Sequence, residues 1–280
     1  MNQEAQPSRV VIGIAFAALY VIWGSTYLAI KVAIETMPPF LMATARFFIA
    51  GALLYGAARA SGAVRPTRLA WRHSLVVGSL LIAGGNGVVS FAEQSIDSSM
   101  AALIIASSPF FMTLFGWWGG VQKRPNVKIW LSLAAGFAGV LLLIVTGEDV
   151  EASRSLFGYL LVVGAVISWA WGCVYSKKRP LDLNPWTQSG MQMLCGGAVC
   201  LAMGAALGEF AGFEVTQVSP RSWAAFVYLI FAGSLAGFTS YVYLLRHCSP
   251  STVSSHAYVN PVVAVALGWL MLGETLSVEG

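Results

Sequence analysis

Residues 107–118 read "SSPFFMTLFGWW", a strongly apolar stretch that contains a proline. A proline inside a helix removes a backbone hydrogen-bond donor and costs about 3 kcal/mol. The same pattern returns at residues 261–269, "PVVAVALGW", which matches "PFFMTLFGW" in its proline, its six intervening residues and its final Gly-Trp. A costly feature that occurs twice indicates an internal repeat.

A second pair of segments supports the repeat. The stretch "YVIWGSTY" near the start of the chain is matched by "VISWAWGCVY" in its second half, which pairs Trp23 with Trp171 and Tyr27 with Tyr175. The two pairs of segments are separated by nearly equal offsets. We therefore predict two homologous halves, residues 1–150 and residues 151–280.

Composition places both halves in a membrane. Of the residues, 57% are hydrophobic and 10% are charged, whereas soluble domains carry about 25% charged residues. A bilayer is crossed by about 20 consecutive apolar residues, and runs near that length predict nine spans. They lie at residues 10–31, 40–59, 74–95, 98–120, 128–146, 156–176, 186–208, 222–245 and 250–273.

Basic residues predict the orientation of these spans. With the N-terminus in the cytoplasm, most of the 16 Lys and Arg residues fall on the cytoplasmic side, as the positive-inside rule requires. They are Arg9, Arg59, Arg65, Arg68, Arg72, Lys123, Arg124, Lys128, Lys177, Lys178, Arg179 and Arg246. The net charge of +4 is thus a topology signal, and we expect no nucleic-acid partner.

Five spans in each half would insert the second half upside down, because five is odd. The loop "GGVQKRPNVK" after the first proline helix is basic, and the segment "GETLSVEG" after the second is acidic. Inverted repeats of this kind are typical of secondary transporters. We predict an all-α polytopic membrane protein of two inverted five-helix repeats, with ten helices, of which the tenth would begin near residue 279 and is expected to be missing from this chain.

The stretches "WGSTYLAIKVAIETMPPFLMATARFFIAGALL", "SWAWGCVY" and "NPVVAVALGWLMLGETLS" resemble the EamA family of the drug/metabolite transporter superfamily. The resemblance covers nearly the whole chain and implies ten helices in two inverted repeats and export of small metabolites. The aromatic interior is similar to that of the YddG branch, which exports aromatic and other hydrophobic amino acids. The first repeat departs from the family pattern, since it reads "WWGGVQKRP" where a second "LGE" is typical, which leaves Glu274 alone in any such role.

Polar residues inside the third span predict a water-filled cavity wall. Ser79, Asn86, Ser90 and Glu93 fall within about 60° of one another on a helical wheel. Such a stripe must face protein or water. Hydrogen bonding between helices is the alternative to a cavity, and for Glu93, near the outer mouth, the two interpretations remain equal.

The paired prolines predict interrupted helices. Ser108 and Asn260 directly precede Pro109 and Pro261, where backbone carbonyls lose their helical partners, and His256 lies one turn earlier. Breaks at matching positions of two repeats are typical of a transport site. We predict that Pro109 and Pro261 act as hinges beside the substrate path, with a purely structural kink as the alternative.

Aromatic residues complete the predicted site. Trp23 and Trp171 lie well inside their spans, so stacking on a substrate is favoured over membership of an interfacial belt or simple packing. The predicted substrate-binding residues are Trp23, Tyr27, Asn86, Ser90, Ser108, Trp171, Tyr175, Tyr241, His256, Tyr258 and Asn260. Arg46 lies about 9 Å along its helix from Phe40, so snorkelling to the outer surface or a structural ion pair is favoured over binding of a substrate carboxylate.

The predicted function is export of small hydrophobic or aromatic metabolites, amino acids above all, across a bacterial inner membrane by alternating access. The alternatives are export of drugs or nucleotide sugars and, from another class, an integral membrane enzyme, which would need converging acids, bases or metal ligands. Transport is expected to be facilitated, with proton coupling through His256 as the alternative. We expect membrane lipid as surroundings and no catalytic residue, cofactor or metal.

Overall fold

The computed structural model describes residues 8–146 and 152–272, so Glu274 lies outside the described residues. Their secondary structure consists of nine helices and one 3₁₀ turn at Val215–Gln217. The helices are α1 Arg9–Ala33, α2 Pro39–Ala60, α3 Arg68–Ala92, α4 Ser98–Trp118, α5 Val127–Thr146, α6 Ala152–Lys178, α7 Pro185–Ala206, α8 Pro220–His247, and α9, which consists of Pro250–Val253 and His256–Leu272.

Each of the nine predicted spans coincides with one of these helices, and the all-α membrane fold is confirmed. Among the described residues, seven helices are long and apolar enough to cross a membrane, and α5 and α9 contain the shorter apolar stretches Val127–Gly136 and His256–Met271. The largest difference lies at the start of α3, predicted at residue 74. The helix begins at Arg68 because the Thr67 hydroxyl caps it, accepting a hydrogen bond of 3.1 Å from the Ala70 backbone N–H.

The first helix of each half packs against the third helix of the other half. Helix α1 packs along α8, and α6 packs along α3. In the predicted repeats, α1 and α6 are the first helices and α3 and α8 are the third helices. The reciprocal contact is the one expected of two halves related by a two-fold axis, and it gathers these four helices at the centre of the molecule. The boundary near residue 150 stays a prediction.

Glycines allow α7 to approach α2 and α3 backbone to backbone. A Cβ atom on Gly78 of α3 would lie 2.4 Å from the Gln192 carbonyl oxygen, and one on Gly196 of α7 would lie 2.3 Å from the Ile82 Cβ. On the α2 side, a Cβ atom on Gly190 would lie 2.7 Å from the Tyr55 backbone nitrogen. Small residues at helix contacts are the usual means of close packing in membranes.

Helices α3 and α8 each contain a π-helical stretch, at Ser79–Gly87 and Leu229–Phe238. These wider turns are rare and occur frequently at functional sites. They lie in corresponding helices of the two predicted halves. Because the π-helical stretch changes the angular spacing, the helical wheel does not hold across it: Ser79 donates to the Leu75 carbonyl at 2.8 Å and does not line the cavity described below.

The helix breaks differ from their predicted positions. Helix α4 is interrupted between Ser98–Ile105 and Ser108–Trp118, so Pro109 occupies the first turn of the second segment, where its missing N–H costs little. Helix α9 is interrupted at residues 254–255, and Pro261 lies inside the segment that follows. The two prolines therefore do not mark equivalent breaks, and the expectation that Asn260 sits at the broken turn was wrong.

Helix α2 is fixed at its N-terminal end by a carboxylate from the second half. Pro38 at its N-cap has no side-chain acceptor. The Glu209 carboxylate accepts hydrogen bonds from the backbone N–H groups of Phe40, at 3.1 Å, and Leu41, at 2.8 Å. A carboxylate at a helix N-terminus is favoured both by these bonds and by the helix dipole. This contact holds the helix that carries Arg46.

Candidate functional site

A central cavity lies between the two halves. Its volume is ≈ 80 Å³, inside a space of ≈ 710 Å³ that includes open solvent, and it is bordered by α1, α2, α3, α4, α6 and α9. The lining residues are Trp23, Thr26, Tyr27, Ile30, Arg46, Gly85, Asn86, Val89, Ile105, Ser108, Met112, Ala165, Val166, Trp169, Ser254 and His256. An apolar lining with a few converging polar groups is typical of a ligand pocket.

Four rings form an aromatic cluster at one wall of the cavity. Trp23 stands edge-on to Trp169, with ring centroids 5.5 Å apart, and edge-on to His256 at 5.2 Å. Tyr241 lies behind them, 4.9 Å from Trp23 and 5.3 Å from Trp169. Rings at these distances attract one another and hold one another in fixed orientations. The cluster draws on α1, α6, α8 and α9, so it joins both halves.

Hydrogen bonds and glycines fix the two indole rings. Trp23 Nε1 donates to the Gly233 carbonyl at 3.2 Å, and Trp169 Nε1 donates to the Tyr241 hydroxyl at 2.8 Å. A Cβ atom on Gly237 would lie 2.4 Å from Trp23 Nε1, and one on Gly85 would lie 2.6 Å from Trp169 Cε3. Each indole thus lies against a glycine in the π-helical stretch of the opposite half.

His256 is oriented by Asn260, one turn later in α9. The two side chains approach to 3.2 Å at His256 Nδ1, and the amide orientation that satisfies every neighbour has the Asn260 oxygen accepting from this nitrogen. The Asn260 nitrogen then donates to the backbone carbonyls of His256, at 2.9 Å, and Tyr20, at 3.3 Å. With Nδ1 protonated, the neutral ring keeps Nε2 as an acceptor.

Arg46 does not snorkel to the surface. Its side chain is buried at 3% exposure, lines the cavity, and donates from Nε to the Ser234 hydroxyl at 2.7 Å. The expectation of snorkelling was wrong because α2 faces the π-helical stretch of α8 at this height, where Ser234 supplies an acceptor. The guanidinium is therefore a cavity group contributed by the first half and held by the second.

Five predicted binding residues line the cavity: Trp23, Tyr27, Asn86, Ser108 and His256. Three more lie directly behind that lining. Tyr241 contacts Trp23 and His256, Asn260 contacts His256, and Ser90 donates to the Asn86 carbonyl at 2.9 Å.

Three predicted residues lie elsewhere. Trp171 is 42% exposed and stacks on Phe115 with ring centroids 4.7 Å apart. The Tyr175 hydroxyl lies 2.6 Å from His73 Nδ1, and Tyr258 is exposed. Glu93, left undecided by the sequence, is fully buried at the C-terminal end of α3, where Lys31 Nζ donates to its backbone carbonyl at 2.7 Å.

Sequence reasoning missed Trp169, which takes the cavity position expected for Trp171. Residues two apart on a helix point about 200° apart, so only one of the two tryptophans in "SWAW" can face the centre. The matching "WG" letters favoured Trp171, whereas Gly84 and Gly85 of α3 pack against Ser168 and Trp169. Thr26, Met112 and Ser254 were also missed, since single apolar or hydroxyl residues carry no pattern.

Comparison with known proteins identifies the family. The sequence profile of the EamA-like transporter family matches residues 11–145 and, a second time, residues 156–279. The chain belongs to the EamA-like transporter family. The two EamA matches fall one in each predicted half, and the family points to a membrane transporter rather than an enzyme.

Two of three relatives of this EamA protein are named as transporters. It is 37% identical over 265 residues to the uncharacterized inner membrane transporter YedA of Escherichia coli strain K12, covering 94% of this chain and 83% of YedA. It is 28% identical over 279 residues to the uncharacterized transporter YoaV of Bacillus subtilis strain 168, covering 97% and 91%. It is 28% identical over 259 residues to protein PecM of Dickeya dadantii strain 3937, covering 91% and 82%.

A solved crystal structure has the same fold. It superposes with a TM-score of 0.69 at 20% sequence identity, covering 97% of this chain and 92% of the other. At this identity the likeness concerns the fold alone. The family and the relatives point to a membrane transporter, and the solved structure shares its fold.

Proposed function

We propose that this EamA-family transporter exports small aromatic or hydrophobic solutes, amino acids above all, from the cytoplasm of a bacterium across its inner membrane. The observation that carries the proposal is a single cavity that is lined both by aromatic rings and by polar groups. The cluster of Trp23, Trp169 and His256 offers rings on which an aromatic side chain stacks. Arg46, Asn86 and Ser108 offer polar contacts in the same cavity. This combination suits a solute with one apolar end and one charged end.

Alternating access is the proposed mechanism. The cavity lies between the halves, and the aromatic cluster, the π-helical stretches and the two helix breaks all meet around it. Wide turns and breaks have fewer regular backbone bonds than α-helix, so they are suited to absorb a change of angle. We propose that the halves rock about these segments, with Pro109 and Pro261, which lack the backbone N–H of a regular helix, as hinges. Uncoupled, gradient-driven transport remains the expectation, with His256 neutral.

Nucleotide sugars and cationic drugs are the competing substrates. A nucleotide sugar carries phosphates that call for several basic groups, and among the described lining residues Arg46 is the single cation. A cationic drug would meet that same charge with repulsion. Both considerations favour the zwitterionic amino acid.

The experiment is counterflow into proteoliposomes. Vesicles loaded with unlabelled L-phenylalanine or L-tryptophan should accumulate the labelled amino acid above the level of empty liposomes, and an imposed pH gradient should not change the rate. Vesicles loaded with a uridine-diphosphate sugar or a cationic dye should show no such accumulation. Counterflow of the nucleotide sugar or the dye without counterflow of the amino acids would refute the substrate proposal. A rate that follows the pH gradient would refute uncoupled transport.

Orientation of the chain gives a separate prediction. The loops between α2 and α3, between α4 and α5, and between α6 and α7, together with the adjoining helix ends (residues 60–72, 121–128 and 177–185), collect most of the basic residues, so we expect them to face the cytoplasm. Single cysteines introduced there, in a variant lacking the native cysteines, should resist a membrane-impermeant thiol reagent in intact cells and react after permeabilisation. A cysteine at residue 35 or 212, in loops expected outside, is the matched control. Labelling of the three loops in intact cells would show that the orientation is the opposite of the predicted one.

A further inference from the structure

Arg46 is a buried cation in the wall of the cavity. It lies seven residues after Pro39, the first residue of α2, which is about 10 Å along the helix axis. Its side chain is 3% exposed. A charge held away from water is costly unless a partner of opposite charge or several hydrogen bonds compensate it. The buried charge of Arg46 therefore needs such compensation.

The protein supplies only part of that compensation. Arg46 Nε donates to the Ser234 hydroxyl at 2.7 Å, and its guanidinium carbon lies 4.7 Å from the ring centroid of the neighbouring Phe47. Within residues 8–146 and 152–272, no carboxylate lies within ion-pairing distance of Arg46. The described part of the chain thus supplies no ion pair to this buried arginine, and the side chain borders an open cavity.

The bond to Ser234 also sets the direction of the guanidinium. With Nε occupied, the two terminal nitrogens remain as a planar pair of donors, the geometry that matches a carboxylate through two parallel hydrogen bonds. One of these nitrogens lies beside Gly233, where a Cβ atom would come within 2.9 Å of it. The position is fixed on both sides by adjacent residues of α8.

The same segment of α8 links the cation to the aromatic cluster. The Gly233 carbonyl accepts the hydrogen bond from Trp23 Nε1, and the next residue, Ser234, accepts the bond from Arg46. One π-helical turn therefore holds the indole and the guanidinium at neighbouring places on the cavity wall. We therefore expect a solute that stacks on Trp23 to place the group attached to its ring toward Arg46.

We propose that Arg46 binds the carboxylate of the transported solute, and that this negative charge is what the cavity requires of a ligand. The inference rests on the proposed function, since it assumes that the cavity holds the solute during transport. It is more specific, because it predicts that aromatic carboxylates without an amino group bind, and that aromatic amines and amides are rejected. Ser234 acts as the positioning residue for the guanidinium.

The test compares ligands that share a phenyl ring and differ in their carboxylate and amino groups. Purified wild-type protein in detergent is titrated at pH 7 with L-phenylalanine, L-phenylalaninamide, 3-phenylpropionate and phenethylamine, and Kd is measured by calorimetry. We expect the two carboxylates to bind and the amide and the amine to bind at least about tenfold more weakly, the loss typical of a charge-assisted hydrogen bond. An amide that binds as tightly as the acid would overturn the inference, and this comparison needs no variant.

Variants locate the selectivity at Arg46. Arg46→Gln should bind the acid and the amide with equal, weak affinity. Arg46→Lys should keep a reduced preference for the acid. Ser234→Ala should weaken binding of the acid and leave binding of the amide unchanged. If Arg46 were only structural, Arg46→Gln would have a lower melting temperature but the same preference for the acid as the wild type. That result would overturn the inference.

Failure of the two proposals can be told apart. If aromatic ligands do not bind wild-type protein, but lactate or acetate raises its melting temperature and does not raise that of Arg46→Gln, the aromatic substrate proposal fails and the role of Arg46 stands. If phenylalanine is transported while acid and amide bind alike, the transport proposal stands and the role of Arg46 fails. If no carboxylate stabilises or binds the wild-type protein, both fail.

Discussion

Replacing Gly78 or Gly196 with alanine is expected to lower the free energy of unfolding by about 3 kcal/mol or more. The new methyl group on residue 78 would meet the Gln192 carbonyl oxygen at 2.4 Å, and the one on residue 196 would meet the Gly78 carbonyl oxygen at 2.6 Å. Backbone atoms in two packed helices cannot turn aside as a flexible side chain does. Helices α3 and α7 must separate, and the cavity wall formed by α3 moves with them.

Gly56→Ala in α2 is the matched control. Nothing lies within 4 Å of a Cβ atom at Gly56, and alanine in a helix is favoured over glycine by roughly 0.5–1 kcal/mol. The control should therefore keep or raise the melting temperature in detergent, whereas the two contact variants should lose the folded, monodisperse peak in size-exclusion chromatography. Equal stability of Gly56→Ala and Gly78→Ala would contradict the close contact between α3 and α7.

Trp169→Ala and Trp171→Ala are expected to have opposite consequences. Trp169 belongs to the aromatic cluster of the cavity, so its loss should lower the rate of phenylalanine counterflow by about tenfold or more through lost stacking on the solute. Trp171 stacks on Phe115 and is half exposed, so its loss should change the rate by about twofold at most while lowering the melting temperature.

The two variants control for each other because they remove the same side chain from the same helix two residues apart. Rates are compared per milligram of monodisperse protein, so that a loss of stability is not counted as a loss of transport. A Trp171→Ala variant that loses transport while Trp169→Ala retains it would mean that α6 presents its other face to the solute. The pairing suggested by the repeated "WG" letters would then be the functional one.

The helices were predictable because their signal is long. Runs of about 20 apolar residues gave all nine helices, and Thr67 shows why an end was misplaced: a single capping hydroxyl extends α3 by a turn and more. The π-helical stretches escaped prediction, since "GGNG" and "AGSLAG" read as ordinary small-residue helix. In the fold, an indole ring from the other half lies against Gly85 and another against Gly237, a contact that the local sequence does not reveal.

Site residues were predictable where they carried a pattern. Trp23 and His256 stood out as an aromatic and a titratable residue inside spans. Arg46 was visible as a charge, but its direction depended on Ser234, which is 188 residues away in the chain. Trp169 and Trp171 could not be told apart without knowing which face of α6 meets α3. Local sequence determines the type of residue within a span, while its orientation is set by distant contacts.

Photolabelling with radioactive 4-azido-L-phenylalanine tests most directly the claim that the central cavity holds an aromatic amino acid. The protein in proteoliposomes is irradiated with and without excess L-phenylalanine, and the labelled peptides are mapped. The label displaced by phenylalanine should fall on peptides that contain residues 23–30 of α1 and residues 254–256 of α9, both of which border the cavity. Displaceable label confined to the connecting loops or to the exposed face of α1 around Ile14, or no displaceable label at all, would contradict the account.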